Sequence, residues 1–508
     1  MNRSQLRASQ ATATLVLVLL AGLSWVVYAQ QPTARPDLVL RRTVRFSDFH
    51  RMLSLPFQVP AGTKRISMKF TYSGQEQRTA LDMGLMGPSG FRGWSGGDKP
   101  GFTLSLSDAT PSYLPGPIEP GTWTLLLAVP NIRPNVTSQF AAEVYFDRST
   151  QDERKDPLLT LHLRPGPAWY RGDLHMHTAH SDGSCKSRMG QKVPCPLFRT
   201  VEAAAARGLD FIAVTDHNTQ SHYDAERELQ PYFDNILLLP GREITTYRGH
   251  ANLFGTTQFV DFRIGTPEVP DVNSMLRQVK ALDAIISINH PDAGSGENCM
   301  GCGWTPATPV DYHLIEAVEA VNGPDADGPK SGVPFWEGLL NRGYHLTGIG
   351  GSDNHDADIP VPGPGSIGYP TTVVQAADLS TPSILAGLRA GHVFIDTEGT
   401  RDRMLEYSAS AGNRTAAMGD TLPVPTDTNI RLAIHVMHAR GSHLELIADG
   451  SKPPVGNAAI AQDDQRTTLE LRGDSRYRWV RLDVCTPEGH RLLIGNPIYL
   501  TPSDHPSR

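Results

Sequence analysis

Between Trp169 and Asp356 the chain ends one apolar run after another in acid and imidazole side chains. The pieces are DLHMHTAHSDG (173–183), VTDHN (214–218), PGRE (240–243), RGHAN (248–252), INHPD (288–292) and GGSDNH (350–355). They offer His175, His177, Asp182, His217, Glu243, His250, His290, Asp353 and His355. Three pieces close helix-then-strand units: FRTVEAAAARGLDFIAVTDHN (198–218), DVNSMLRQVKALDAIISINHP (271–291) and VPFWEGLLNRGYHLTGIGGSDNH (333–355). In the first, an Ala-rich helix stops at Gly208 before a buried strand; in the second, Asp271 is placed to cap the helix that precedes AIISI. In βα architectures the C-terminal strand ends share one face, and the loops there build the site. Groups about 180 residues apart in sequence are therefore expected to converge.

Neutral imidazole nitrogen and carboxylate oxygen are the atoms that Zn, Mn and Fe(II) accept, and nine such groups exceed the needs of one ion. His175 and His177, two apart on a strand, share a face and form a bidentate claw; Asp353 and His355 repeat the spacing. Glu243 has two oxygens and can bridge two ions, which a histidine cannot. Asp182 follows in a Gly-containing loop. Asp216, beside His217, can orient that ring or bind metal itself. One His-x-His alone says only that two side chains share a face; the metal reading rests on the whole set. His180 and His222 read as rim residues, and His313, His345 and His392 as structural. HVMHARGSH (435–443) is His-dense but has no carboxylate support, so His435, His438 and His443 also read as structural. Arg242 and Arg248 near Glu243 either pin substrate oxygens or make surface ion pairs.

A chain of 508 residues with 39% hydrophobic content can build several cores. Net charge of −7 gives no basic field for nucleic acid. Residues 36–150 hold short alternating runs such as RISMKFTY and TWTLLLAV between turn clusters, the pattern of a β-sandwich. Residues 165–400 alternate strand and helix, and 401–500 return to strands as a smaller second sandwich. At the N-terminus Arg3 and Arg7 precede an apolar stretch from Ala11 to Ala29, ending in small residues around Val27-Tyr28-Ala29. Residues 1–29 thus read as a secretory signal peptide or, if uncleaved, a membrane anchor, and the body as exported. Cysteine usage fits: Cys185 with Cys195, and Cys299 with Cys302, can pair within their own loops in an oxidising compartment. A four-cysteine zinc site joining the loops is the alternative. Cys485 reads as a buried strand residue. Oligomeric state is not legible.

The series H-x-H…SDG, TDHN, GxE, GHxN, NHP and SDxH resembles the polymerase-and-histidinol-phosphatase (PHP) superfamily. The flanking sandwiches and the Cys-bracketed loop after SDG resemble its exported carbaryl-hydrolase-like (CehA/McbA) branch. The resemblance implies an α/β fold, a distorted (β/α)7 barrel, with two or three divalent ions (Zn, Mn or Fe) at the C-terminal strand face. It implies His175, His177, Glu243 and Asp353 around a first ion, and Glu243, His250 and His290 around a second. A third site would use Asp182, His217 and His355. Many members of the family have His where Asp182 stands, so this carboxylate marks a departure at the third site.

Together these readings predict a metal-dependent hydrolase of small-molecule esters. Two ions sharing Glu243 would acidify a common water to a hydroxide nucleophile, so the reaction needs no serine or cysteine nucleophile. Asp353 is placed to take the nucleophile's proton; His355, His217 or Asp182 can protonate the leaving group. Phosphoesters are the leading substrate class. Carbamates, amides or carboxylesters are the second. A secreted, non-catalytic protein stabilised by metal is the third reading.

Overall fold

The computed structural model describes residues 35–97, 99–148, 156–297, 299, 301–425, 428–454, 458–472 and 477–503. The apolar N-terminal segment, and with it the signal-or-anchor expectation, lies outside the described residues. Among those described, no helix is long and apolar enough to cross a membrane.

Strand-rich α/β architecture follows from the two hydrophobic periodicities. Strand Gly121–Asn131 buries Trp123, Leu125, Leu127 and Val129, every second residue, and leaves the alternate positions more open. It belongs to an antiparallel sheet of four strands (Met52–Val59, Gly121–Asn131, Ala80–Gly87, Gly90–Gly96). A second four-stranded sheet (Leu38–Val44, Ser138–Asp147, Arg65–Tyr72, Gly101–Ser105) contributes to the same apolar core. In the central region the period changes to helical. Helix Leu197–Arg207 buries Leu197, Thr200, Val201 and Ala204, and Gly208 ends it in the left-handed conformation at φ 79°. Helix Val272–Ala281 buries Val272, Met275, Leu276 and Val279, with Asp271 accepting from Ser274 N at 2.7 Å as its cap.

The central strands do not close into the single (β/α)7 ladder that the family resemblance implied. They divide between two sheets. One carries Gly241–Thr246, Gly249–Phe254, Ile285–Ile288, Ala317–Asn322 and Thr347–Gly351 in that order; the other contains Leu237–Leu238, Phe211–Ile212, His162–Asp173 and Thr371–Ser380. The first of these sheets is also not parallel throughout, for a local reason. Strand Gly241–Thr246 turns straight back into Gly249–Phe254 with Thr246 opposite Gly249, so that pair is antiparallel and has no crossover helix. Parallel pairing survives between Ile285–Ile288, Ala317–Asn322 and Thr347–Gly351, where helices intervene. The two sheets touch through isolated parallel bridges, Met176 to Asn354 and His217 to Glu243.

The second central sheet continues through Val393–Asp396 into Arg491–Gly495 and Trp479–Cys485, crossing position 400 without a break. A separate four-stranded sheet (Arg414–Ala417, Met404–Ala411, Ile430–Met437, Asp464–Leu471) packs on that extension over a shared core. Cys485 is buried in its strand. Cys185–Cys195 and Cys299–Cys302 pair within their own loops, with Cα separations of 4.9 and 5.7 Å. Among the described residues no four-cysteine zinc site forms.

One side chain ties the C-terminal region to the centre. Buried Asn496 accepts from Gly348 N at 2.7 Å and donates to Gly348 O and Val393 O, each at 2.9 Å. Asn496→Leu strands these backbone groups without partners. It is expected to cost about 2–4 kcal/mol, read as a lowered urea midpoint; an unchanged midpoint would mean that water satisfies Gly348. Thiol labelling of denatured, unreduced protein is expected to count one reactive cysteine, Cys485, and a count of five would end the disulfide assignment.

Candidate metal centre

The strand-end residues meet in one place. Four overlapping groups form, each with ligand atoms within 4.8 Å of one another: His177, Asp182, His217 and His355; His175, His290 and Asp353; His175, His177 and Glu243; and Glu243, His250 and His290. All nine sequence-predicted residues belong to this network. Strand register explains part of it. His250 lies opposite Thr245, and side chains of opposed residues share a face, so it emerges beside Glu243, two residues before Thr245. The atoms confirm the approach, with His250 Nδ1 at 3.2 Å from Glu243 Oε1. Glu243 Oε1 also lies 3.5 Å from both His175 Nε2 and His290 Nε2, while Asp353 Oδ1 is 3.2 Å from His175 Nε2 and 3.1 Å from His177 Nε2.

Hydrogen bonds behind the rings set which nitrogen faces the cluster. His175 Nδ1 faces the Glu319 carboxylate at 2.8 Å, His290 Nδ1 the carbonyl of Cys302 at 3.1 Å, and His355 Nδ1 the carbonyl of Asp353 at 2.9 Å. A carbonyl or carboxylate oxygen accepts, so each Nδ1 carries a proton, and loss of the second ring proton leaves each Nε2 free to present a lone pair. This is the arrangement that orients metal-ligating histidines. Three buried atoms of the cluster, His175 Nε2, Glu243 Oε2 and His250 Nε2, have no hydrogen-bond partner. His217 Nδ1 comes within 2.7 Å of Glu243 Oε2 but is committed to Thr245 Oγ1 at 2.6 Å. Buried polar atoms without partners are costly, and divalent cations bound in the cluster would satisfy His175 Nε2 and Glu243 Oε2.

The charges require the same compensation. Burial alone would raise the Glu243 and Asp353 carboxyls, yet facing imidazoles, His175 first, hold both well below the usual carboxylate range. Asp182 is drawn down to about 2 by its hydrogen bond with His355. Against the opposing effect of burial, that bond and the Asp353 charge raise His355 to about 9. Among these side chains alone, imidazolium protons balance the carboxylates; a metal ion displaces such protons when it binds. The corner formed by Asp182 and His355 is open, with side chains 58% and 41% exposed, whereas His175, His177 and Glu243 are buried.

Backbone strain accompanies the convergence. Asp353 (φ 51°), His290 (φ 27°) and Asn218 (φ 53°) all adopt left-handed conformations, uncommon for side chains other than glycine. Gly351 is required by contact, because a Cβ there would come within 2.5 Å of His175 Cβ and 2.6 Å of Glu319 Oε1.

Several positions differ from the sequence reading. Asp216 faces away from the cluster and accepts from Thr178 N (2.8 Å), Thr178 Oγ1 (2.6 Å) and Ser181 Oγ (2.5 Å), bracing the loop before Asp182. His222 is not a rim residue; it is fully buried, facing Gly241 O through Nε2 at 2.8 Å. Arg242 is buried on the far face of its strand, donating to Gln258 O, so it neither pins substrate nor pairs at the surface. Sequence reasoning missed Glu319, which accepts from His290 N (2.9 Å) and Asn322 Nδ2 (3.0 Å) besides holding His175. It also missed Asn289, whose amide donates to Glu243 Oε1 at 2.8 Å. A buried acid inside an apolar strand, as in EAVEAVN, was the available signal. A cavity of about 460 Å³ opens beside the cluster, lined by His290, Asp353, Asn322, Ser295 and Lys330. A larger one, about 560 Å³, lies around Trp169, Glu406 and His435 and contains none of the nine residues.

No family model matches the chain, and no curated protein matches it. Among solved structures it is similar to a two-domain protein containing a predicted PHP-like metal-dependent phosphoesterase from Bacteroides vulgatus. Identity is 19%, coverage is 66% of this chain and 95% of that one, and the TM-score is 0.34. A likeness this weak says nothing about chemistry, which the geometry has to carry.

Glu319→Gln keeps the shape of the acid behind His175 but removes its charge. Metal affinity is expected to fall about 10–100-fold, measured by competition with a chelator, while the fold persists. Unchanged affinity would show that Glu319 does not act through His175.

Proposed function

We propose that the chain is a metal-dependent hydrolase that holds two or three divalent ions (Zn, Mn or Fe) and acts on phosphoesters. The carrying observation is the set of four overlapping ligand groups, two of which share Glu243, with unpartnered buried atoms on His175 and Glu243 among them. His175, His177, Glu243 and Asp353 would hold one ion, and Glu243, His250 and His290 a second. Asp182, His217 and His355 would hold a third or serve as proton donors. Bound ions would supply an acidified water and polarise the ester oxygen.

The chain's own groups do the rest. Glu319 and the carbonyls of Cys302 and Asp353 keep three imidazoles presenting Nε2. Asp353, at the junction of the buried and open groups, is placed to take a proton from the nucleophile. His355, hydrogen-bonded to Asp182 at the exposed corner, is placed to return one to the leaving group. That open corner is what separates this reading from a structural metal site, where coordination is closed on all sides. In this reading the central region is a PHP-type barrel interrupted by the 241–254 hairpin and flanked by two sandwiches. Cystine pairs within two loops support export to an oxidising compartment.

The test is a panel of aryl phosphomonoesters, phosphodiesters, carboxylesters and N-methylcarbamates with metal-loaded wild type and Glu243→Gln. Phosphoester turnover is expected in wild type. In the variant it should drop at least ~100-fold, since even outer partners of metal ligands are worth 10–100-fold; circular dichroism should be unchanged. Preference for carbamates or carboxylesters would move the assignment to the carbaryl-hydrolase type. No turnover by metal-loaded wild type would contradict the enzyme reading.

A further inference from the structure

One wall of the site is not used by any step above. Strands Ser184–Lys186 and Lys192–Pro194 form a small antiparallel hairpin, with Cys185 opposite Val193 and Lys186 opposite Lys192. The Cys185–Cys195 disulfide closes its base. That base is fastened to the ligand loops. Ser184 N and Oγ each donate to His355 O at 2.8 Å, Ala357 N donates to Ser184 O at 3.0 Å, and Ala179 N donates to Cys195 O at 2.7 Å. The hairpin therefore stands beside Asp182 and His355, the exposed corner of the cluster.

Its charges are not those of a merely structural hairpin. Like charges directly opposite on an antiparallel ladder repel. Lys186 and Lys192 are such a pair, and Arg188 sits in the turn between them. All three are exposed, and none forms an ion pair among the described residues, although the chain as a whole carries a net charge of −7. The neighbouring acid, Asp358, accepts from the main chain of Lys186 and pairs with Arg199 instead. Residues two apart on a strand share a face, so Lys186 projects from the same face as Ser184, whose hydroxyl reaches the His355 main chain. At a rise of ~3.3 Å per residue, Lys186 lies about 7 Å along the strand from that contact.

We propose that this hairpin is an anion-docking arm that selects phosphoesters bearing a second anionic group beyond the scissile phosphate. Lys186, Arg188 and Lys192 hold the distal group while the near one enters the cluster, and the disulfide keeps the arm at a fixed distance. The inference rests on the hydrolase reading. The distal anion can belong to a free molecule or to a lipid headgroup; Met189, 87% exposed at the turn, would suit a membrane surface.

Metal-loaded full-length protein is compared on hexyl phosphate and 1,6-hexanediol bisphosphate. Wild type is expected to prefer the bisphosphate in kcat/KM by about tenfold or more at low salt. The preference should shrink with added salt as the Debye length falls from ~30 Å at 0.01 M to ~3 Å at 1 M. In K186Q/R188Q/K192Q the ratio should approach one, whereas K186R/K192R should retain it. Cosedimentation with phosphatidylcholine vesicles, with and without phosphatidic acid, separates the sources. Binding to the anionic vesicles that the triple variant loses assigns a lipid, and an intact ratio without sedimentation assigns a free molecule. A wild-type ratio near one, unchanged in the triple variant, overturns the arm. If neither phosphate is hydrolysed, the ester panel decides the hydrolase reading, and calorimetric titration with the bisphosphate still decides the arm. Tighter binding by wild type than by the triple variant retains it, and equal binding removes it.

Discussion

Two buried carboxylates, Glu243 and Glu319, the partly buried Asp353, and the imidazoles that face them are the constraint on which the rest of the structure depends. Ionised groups removed from water are tolerable only when paired or bound to a cation. Here the pairing is reciprocal. Glu243 and Asp353 are held ionised by the imidazoles facing them, and the rings are oriented by acceptors placed behind them. The left-handed backbone at His290 and Asp353, and the need for glycine at position 351, are costs that persist because neighbouring strands and hydrogen bonds leave the chain no other path.

The surrounding architecture keeps these strand ends in place. Asp173 is buried at the end of its strand and accepts from His175 N, Ser352 N and Gly368 N, so one acid joins the His-x-His segment to the loop carrying Asp353. Behind that loop, Asn496 binds both polar groups of Gly348, and the C-terminal strands extend the central sheet. On the opposite flank Arg227 reaches Asp156 at 2.5 Å and Ser107 O at 3.4 Å, tying the helix His222–Leu229 to the N-terminal sheets. The flanking regions therefore bear on the site mechanically.

Much of the site was legible in the sequence because its groups follow buried strands directly, so their convergence required only that strand ends share a face. The helices at 197–207 and 272–281 were legible for a similar reason, having a clear stop at Gly208 and a clear cap at Asp271. What was not legible depended on side-chain direction and on partners far away in the chain. Arg242 beside Glu243 looks like part of a charged surface, but strand alternation sends the two to opposite faces, and Arg242 is buried. His222 and Asp216 look like site residues by proximity, yet their hydrogen bonds turn them inward. Glu319 lies 144 residues from His175 in an apolar strand with no motif around it. The tight return at Tyr247–Arg248 stands where a crossover helix was expected, and it makes that strand pair antiparallel.

The central claim is that the nine side chains form one shared metal centre and not a self-neutralised polar core. Anomalous diffraction from crystals grown with Mn or Zn tests it directly. Two peaks are expected on either side of the Glu243 carboxylate, ~3.5–4 Å apart as in two-metal sites, one near His175, His177 and Asp353 and the other near His250 and His290. A cluster without anomalous density, or metal bound only at residues outside it, would contradict the account.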